Sequence, residues 1–279
     1  MKGLLKRKSV RFVLDILQVF LDRRGSRSAA ELAYFLVLSV FPLLIMVNAI
    51  VGMLHLDVEE LIHTLSEFIP AQAAGVVADY VTYISGNQSG GLFWAGLVMT
   101  LTSSSAAFRA LMNVTADIYR KPAYPGFWTI VASVVFSVAF LLIMYLSIVV
   151  VLTGNWFFSL LKQFLHITAL PGNWSWMRYW LLFGLMFFFL ALFYRATAPR
   201  GKPRPPVLIG AALTAVLLVA ASALFSWFIG QSSRYSLVYG SLASVIILMV
   251  WLYLCGNILI LGTVFNYVWH CYKKKAAVQ

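Results

Sequence analysis

The chain has 279 residues, of which 62% are hydrophobic, 15% aromatic and only 11% charged, and its mean hydropathy is +0.87. A soluble domain carries about 25% charged residues, so this composition excludes a soluble enzyme, a disordered chain and a secreted scaffold, and leaves an integral membrane protein. Its 21 Lys and Arg against nine Asp and Glu give a formal net charge of +12, whose meaning depends on where the basic residues fall.

In chain order, residues 1–28 come first, with Leu5, Phe12, Val13, Ile16 and Phe20 at helical spacing among Lys6, Arg7, Lys8, Arg11 and Asp15. This predicts a basic amphipathic helix on a membrane surface, since it has neither an unbroken apolar stretch nor the small-residue site of a signal peptide. Six stretches then reach the roughly 20 mostly apolar residues that a spanning helix needs. They are 29–54, 91–114, 127–153, 177–198, 206–230 and 240–270. Between the first two, Val58, Leu61, Ile62, Leu65 and Ile69 form an apolar stripe that Pro70 stops, and Ala74, Val77, Tyr80, Val81 and Ile84 form a second. Segment 55–90 is therefore expected to hold two short interfacial helices on the external side. No linker separates domains, so residues 1–279 read as one all-α, polytopic membrane domain of six transmembrane helices, an N-terminal amphipathic helix and two external interfacial helices.

Seventeen of the 21 basic residues fall before the first span (Lys2 to Arg27), after the second (Arg120, Lys121), after the fourth (Arg195, Arg200, Lys202, Arg204) and after the sixth (Lys273, Lys274, Lys275). The alternate segments hold Lys162, Arg178 and Arg234, while 55–90 is acidic, with Asp57, Glu59, Glu60, Glu67 and Asp79. The positive-inside rule then puts both termini in the cytoplasm. The excess charge is topogenic and faces anionic lipid headgroups at the cytoplasmic side, so no nucleic-acid partner is expected. Trp156, Trp174, Trp176 and Trp180 are expected at the outer interface and Trp269 at the inner one. Cys255 and Cys271 are too few for a disulfide framework.

Several stretches carry a resemblance. These are AELAYFLVLSVFPLL (Ala30–Leu44), ALMNVTADIYR (Ala110–Arg120), FYRATAP (Phe193–Pro199) and VYGSLASVIILMVWLYLCGNILILGTVFN (Val238–Asn266). Their order and spacing resemble the YihY/BrkB family of bacterial inner-membrane proteins over nearly the whole chain. The resemblance implies a six-helix protein of the cytoplasmic membrane, in a family whose members have been called virulence factors or ribonuclease BN. Metal-dependent phosphodiester cleavage needs clustered carboxylates or histidines. On the expected cytoplasmic side the chain offers Asp15, Asp22, Asp117 and His270, with Glu31 at the boundary, and these show no ligand spacing. Catalytic and nucleotide-binding fingerprints are absent too, so neither an enzyme nor a cofactor is expected.

The most informative feature lies on the second span, where Ser105, Arg109, Asn113 and Asp117 recur every four residues behind Thr102, Ser103 and Ser104. One reading has Arg109 snorkel to the headgroups, helped by Asp117. The other makes the stripe a wall of a polar cavity in which Arg109 grips a phosphate or carboxylate through its planar fork. Ser28 and Glu31 have capping-box spacing at the start of the first span. Pro42 is expected to kink that span, with Ser39 and Asn48 as donors to the carbonyl it frees. Outside, Glu59, His63 and Glu67 share one helix face and read as a solvated polar face, with a weak metal site as the alternative. Asn257 and Asn266, beside Gly256 and Gly262, suggest interhelical hydrogen bonds and close packing, and Gly210 to Ala215 give the fifth span a similar smooth face. The functional expectation is a membrane protein that handles or transports a lipid or other amphiphilic anion, with a non-transporting scaffold as the rival.

Overall fold

The computed structural model describes residues 8–54, 90–152, 174–199, 205–230 and 242–276. These form seven helices: α1 (Lys8–Asp22), α2 (Gly25–Leu54), α3 (Gly90–Tyr119), α4 (Phe127–Leu152), α5 (Trp174–Thr197), α6 (Leu208–Gly230) and α7 (Leu242–Ala276). The expected interfacial helices of 55–90, and with them Glu59, His63 and Glu67, lie outside the described residues.

The chain is an all-helical membrane protein. Five helices, α2, α4, α5, α6 and α7, have segments long and apolar enough to cross a bilayer. Helix α3 has 30 residues, about 45 Å at 1.5 Å per residue, but carries the serine run, Arg109, Asn113 and Asp117 and is not among the five. Among the described residues the count of apolar spans thus stops one short of the six expected, although the long helix α3 occupies the place of the second.

Consecutive helices pack as neighbours from α2 through to α7, and α7 returns against α2 to close a ring. Helix α3 also touches α7 and α5 across that ring, so it is the inner element of the bundle. Polarity is distributed inside out relative to a soluble domain. Large apolar side chains such as Val135, Leu142, Phe188, Val216 and Leu224 are exposed on α4, α5 and α6, while Ser104, Ser105, Ser133, Ser137, Thr214, Thr263 and Asn266 are buried. Lipid tails are as apolar as leucine, so burying leucine gains little there. Small and hydroxyl-bearing side chains that let helices approach closely therefore share the interior with Phe193, Ile118 and Ile260.

Two contacts show this approach. The Cα of Gly256 on α7 faces the backbone of Ala29 on α2, and a Cβ added there would lie 3.1 Å from the Ala29 carbonyl oxygen. On α6, a Cβ at Gly210 would overlap the amide of Asn266, and one at Gly262 on α7 would overlap the hydroxyls of Thr214 and Tyr194. The Tyr194 hydroxyl donates to the Leu259 carbonyl at 2.8 Å and lies 3.1 Å from Thr214 Oγ1, tying α5, α6 and α7 together. The two expected asparagine bridges are not formed among the described residues. Asn257 donates to Tyr253 on its own helix at 2.7 Å, and neither amide atom of Asn266 has a partner.

Helix α1 is amphipathic, as expected, but presents three faces, and Val13 leaves the face of Phe12, Ile16 and Phe20. Phe12, Ile16, Val19 and Phe20 pack inward, with the Phe12 ring edge-on to Phe265, Trp269 and Tyr272 of α7. Tyr272 also donates to Asp15 Oδ2 at 2.6 Å. Val13, Leu14, Leu17 and Leu21 form a separate exposed apolar strip, and Arg11, Gln18 and Asp22 an exposed polar one. Protein, apolar and polar sectors around one helix axis suit an element lying at a membrane boundary. Trp269 belongs to this aromatic cluster, stacked on Phe265 at 5.9 Å, whereas Trp180 is 71% exposed.

At the start of α2 the helix begins at Gly25, three residues before the expected cap. The amides of Arg27 and Ser28 both bond to the Arg24 carbonyl, so the turn from α1 supplies the partner and the capping box is not used. Pro42 is buried in an assigned helix that continues through it. Ser39 donates to the Leu36 carbonyl at 2.7 Å, not to the Leu38 carbonyl that Pro42 leaves free, and the side chain of Asn48 lies outside those described.

Candidate functional site: the polar seam of the third helix

A residue every four places advances about 400°, so each step rotates the stripe about 40° around α3. From Ser105 to Asp117 it turns by about 120°, enough to leave one face and reach the next. The structure divides the set accordingly. Ser105 is buried against α4, Arg109 is half-buried, and Asn113 and Asp117 are exposed. It brings Ser105 and Arg109 together and leaves Asn113 and Asp117 apart from them.

Arg109 Nη1 donates to Ser105 Oγ at 2.9 Å. Ser105 Oγ lies 2.8 Å from Ser133 Oγ on α4, and Ser133 donates to the Ile130 carbonyl at 2.7 Å. Each hydroxyl has one proton, so the chain has one consistent direction: Arg109 to Ser105, Ser105 to Ser133, Ser133 to the backbone. The guanidinium is held toward the N-terminal half of α3, a turn back from its own Cα, and away from Asp117. With Nη1 on Ser105, the Nε and Nη2 edge of the fork has no other protein partner among the described residues.

The seam continues beyond the serine pair. Thr100 on α3 and Ser137 on α4 are buried, and neither hydroxyl has a hydrogen-bond partner among the described residues. Ser133 and Ser137 were not among the expected site residues. Their signal is an i, i+4 serine pair in a largely apolar helix, which becomes meaningful only once α4 is placed antiparallel beside α3. Next to the seam, Phe108, Phe136, Phe140, Phe189 and Phe193 form an aromatic wall with ring centroids 5.0–6.2 Å apart. Phe136, Phe189 and Phe193 of this cluster are themselves buried in the core. No three His, Cys, Asp or Glu residues converge among the described residues.

The comparisons agree with one another on kinship. The chain is similar over 266 residues, at 27% identity, to the ribonuclease-like protein YfkH of Bacillus subtilis, covering 94% of this chain and 96% of that one. It is 27% identical over 268 residues to a UPF0761 membrane protein of Vibrio campbellii, with 91% of this chain and 80% of the relative covered. A UPF0761 membrane protein of Azotobacter vinelandii is 24% identical over 268 residues, and there the match spans 91% of this chain but only 62% of the relative. No solved structure matches. The family model described as Virulence factor BrkB matches residues 16–278, and the chain belongs to that family.

Proposed function

We propose that this protein binds an anionic amphiphile, a lipid or a lipid-like molecule, and moves or exchanges it across or within a bacterial inner membrane. In this reading α3 is a sixth span, the termini are cytoplasmic, and Arg109 is the headgroup ligand with the hydroxyls of Ser105, Ser133 and Ser137 behind it. The observation that carries it is the orientation of Arg109, whose fork is fixed by Ser105 while one bidentate edge stays uncommitted. A guanidinium held in this way binds phosphate or carboxylate at little further entropic cost. Asn113 and Asp117, exposed one and two turns on, would line the entrance. The membrane-protein names of the relatives accord with this setting, and the ribonuclease-like name of one relative stays with that relative.

The rival is a non-transporting scaffold. It is favoured by the Ser105–Ser133 contact, which could serve only to hold α3 against α4. Single cysteines placed along 99–117 and treated with a membrane-impermeant maleimide separate the two. The transport reading expects labelling at 113 and 117 from the cytoplasmic side, with protection by added anionic lipid. No labelling at either position leaves the seam closed and favours the scaffold.

A further inference from the structure

The 2.8 Å contact between Ser105 and Ser133 divides the meeting of α3 and α4 into two flanks. Each residue advances about 100° around a helix, so Phe108 stands about 60° to one side of Ser105 and Arg109 about 40° to the other. On α4, Phe136 stands about 60° to one side of Ser133 and Ile130 about 60° to the other. Because the helices run antiparallel, Phe108 shares a flank with Phe136, and Arg109 shares the opposite flank with Ile130. The first flank is the inner one, since the rings of Phe108 and Phe136 are 6.2 Å apart and Phe136 is buried in the core. Arg109 therefore lies on the outer flank.

Exposure agrees with this division. Beside Arg109 on the outer flank, Ile130 is 47% exposed, Val134 42% and Val98 58%. Thr102 and Asn113, about 60° and 80° from Ser105 in the same direction, are exposed as well. Arg109 is ten residues short of the helix end at Tyr119, about 15 Å along the axis. In a hydrocarbon core of about 30 Å that level is near the middle, well inside the headgroup layer. A small anion bound there would leave the apolar side chains around it uncovered. A lipid brings to the same place both an anionic group for the guanidinium and a hydrocarbon chain for its neighbours.

We propose that the ligand of Arg109 is an anionic phospholipid that enters sideways from the bilayer, with its phosphate on the outer flank of the seam and an acyl chain along Ile130, Val134 and Val98. This rests on reading Arg109 as a headgroup ligand and α3 as a span, and it adds the ligand class, the route and the position of the tail. The headgroup passes Asn113 to reach Arg109 while its tails stay in hydrocarbon, so the protein has no need of a closed cavity.

The test places the full-length protein in phosphatidylcholine nanodiscs with a trace of phosphatidylglycerol carrying a diazirine on one acyl chain. Cross-linked residues are mapped by mass spectrometry, and phosphatidylcholine with the same labelled chain reports contact with bulk lipid. Phosphatidylglycerol should label Ile130 and Val134 about tenfold more than phosphatidylcholine does, and the excess should vanish in Arg109→Lys. Val134→Trp, a change at an exposed position that fills the groove, should lower the excess at Ile130 several-fold. Native mass spectrometry counts retained phosphatidylglycerol in parallel. Retention that depends on Arg109, with no excess labelling at 130 and 134, overturns sideways entry and leaves Arg109 as a ligand. Retention indifferent to Arg109 overturns both readings together. Loss of the excess on adding inorganic phosphate assigns the site to a soluble anion and overturns the lipid. Protection of 130 and 134 from both lipids means that a second copy covers this flank, and overturns the proposal too.

Discussion

Replacing Gly210 by alanine places a methyl group where the Asn266 side chain now lies, in contact with its Oδ1, Cγ and Nδ2 atoms. Asn266 is 1% exposed, so the amide has no room into which to swing, and overpacking of this kind costs about 1–3 kcal/mol. Truncating the asparagine acts differently. Its two amide atoms are buried without a partner among the described residues, and each such group costs about 1–3 kcal/mol to keep desolvated. Asn266→Ala removes that cost but opens a cavity of similar penalty, so the single variant should fall within about 1–2 kcal/mol of the wild type. In the double variant the new methyl enters the space the amide has left. The two changes should therefore couple favourably by about 1–3 kcal/mol, with the double variant more stable than Gly210→Ala alone. Thermal unfolding of the four proteins in one detergent gives the cycle directly. Strict additivity would refute the reasoning, because it would mean that Gly210 and Asn266 do not share this space.

Tyr272→Phe removes the hydroxyl that donates to Asp15 and should loosen α1 from α7 by about 1.5–3 kcal/mol, read as faster amide exchange over residues 8–22 with α7 unchanged. Ser105→Ala should weaken anion binding several-fold while leaving Arg109 in place, because the fork loses its anchor; unchanged binding would separate the serines from the site. Reporter fusions after Lys275 should be active only for a cytoplasmic reporter, and activity of a periplasmic reporter would reverse the assigned orientation.

Much of this architecture is legible in the sequence because one rule dominates it. Runs of about 20 apolar residues become helices in lipid, so each of the six expected stretches meets an observed helix, with ends shifted by a few residues. The amphipathic α1 is legible because Phe12, Ile16 and Phe20 repeat at the period of a helix face, whereas the separate exposed strip of Val13, Leu14, Leu17 and Leu21 is not. What periodicity does not carry is rotation and partner. It placed Ser105 and Asp117 on one stripe, and the 40° drift per step puts the first against α4 and the second at the surface. Ser133 is ordinary in sequence and becomes part of the site only through its contact with Ser105. The capping box at Ser28 failed because α1 ends at Asp22, only three residues before Gly25, and the Arg24 carbonyl in the turn takes the amides of Arg27 and Ser28, so Ser28 lies inside the helix. The bridges expected of Asn257 and Asn266 failed because close approach through Gly210 leaves Asn266 space but no donor or acceptor.

The central claim is that Arg109 is a ligand for an anionic headgroup through the geometry of its fork. The direct measurement is the affinity of the purified protein, in nanodiscs of otherwise neutral lipid, for an anionic phospholipid, compared between the wild type and Arg109→Lys. Lysine keeps the charge and can still snorkel, but it cannot hold Ser105 and present a planar two-donor edge at once. The variant should insert and accumulate as the wild type does, yet bind roughly ten- to a hundred-fold more weakly at this site, the loss of one charge-assisted hydrogen bond of about 1.5–3 kcal/mol. Equal affinity in the two proteins would contradict the account.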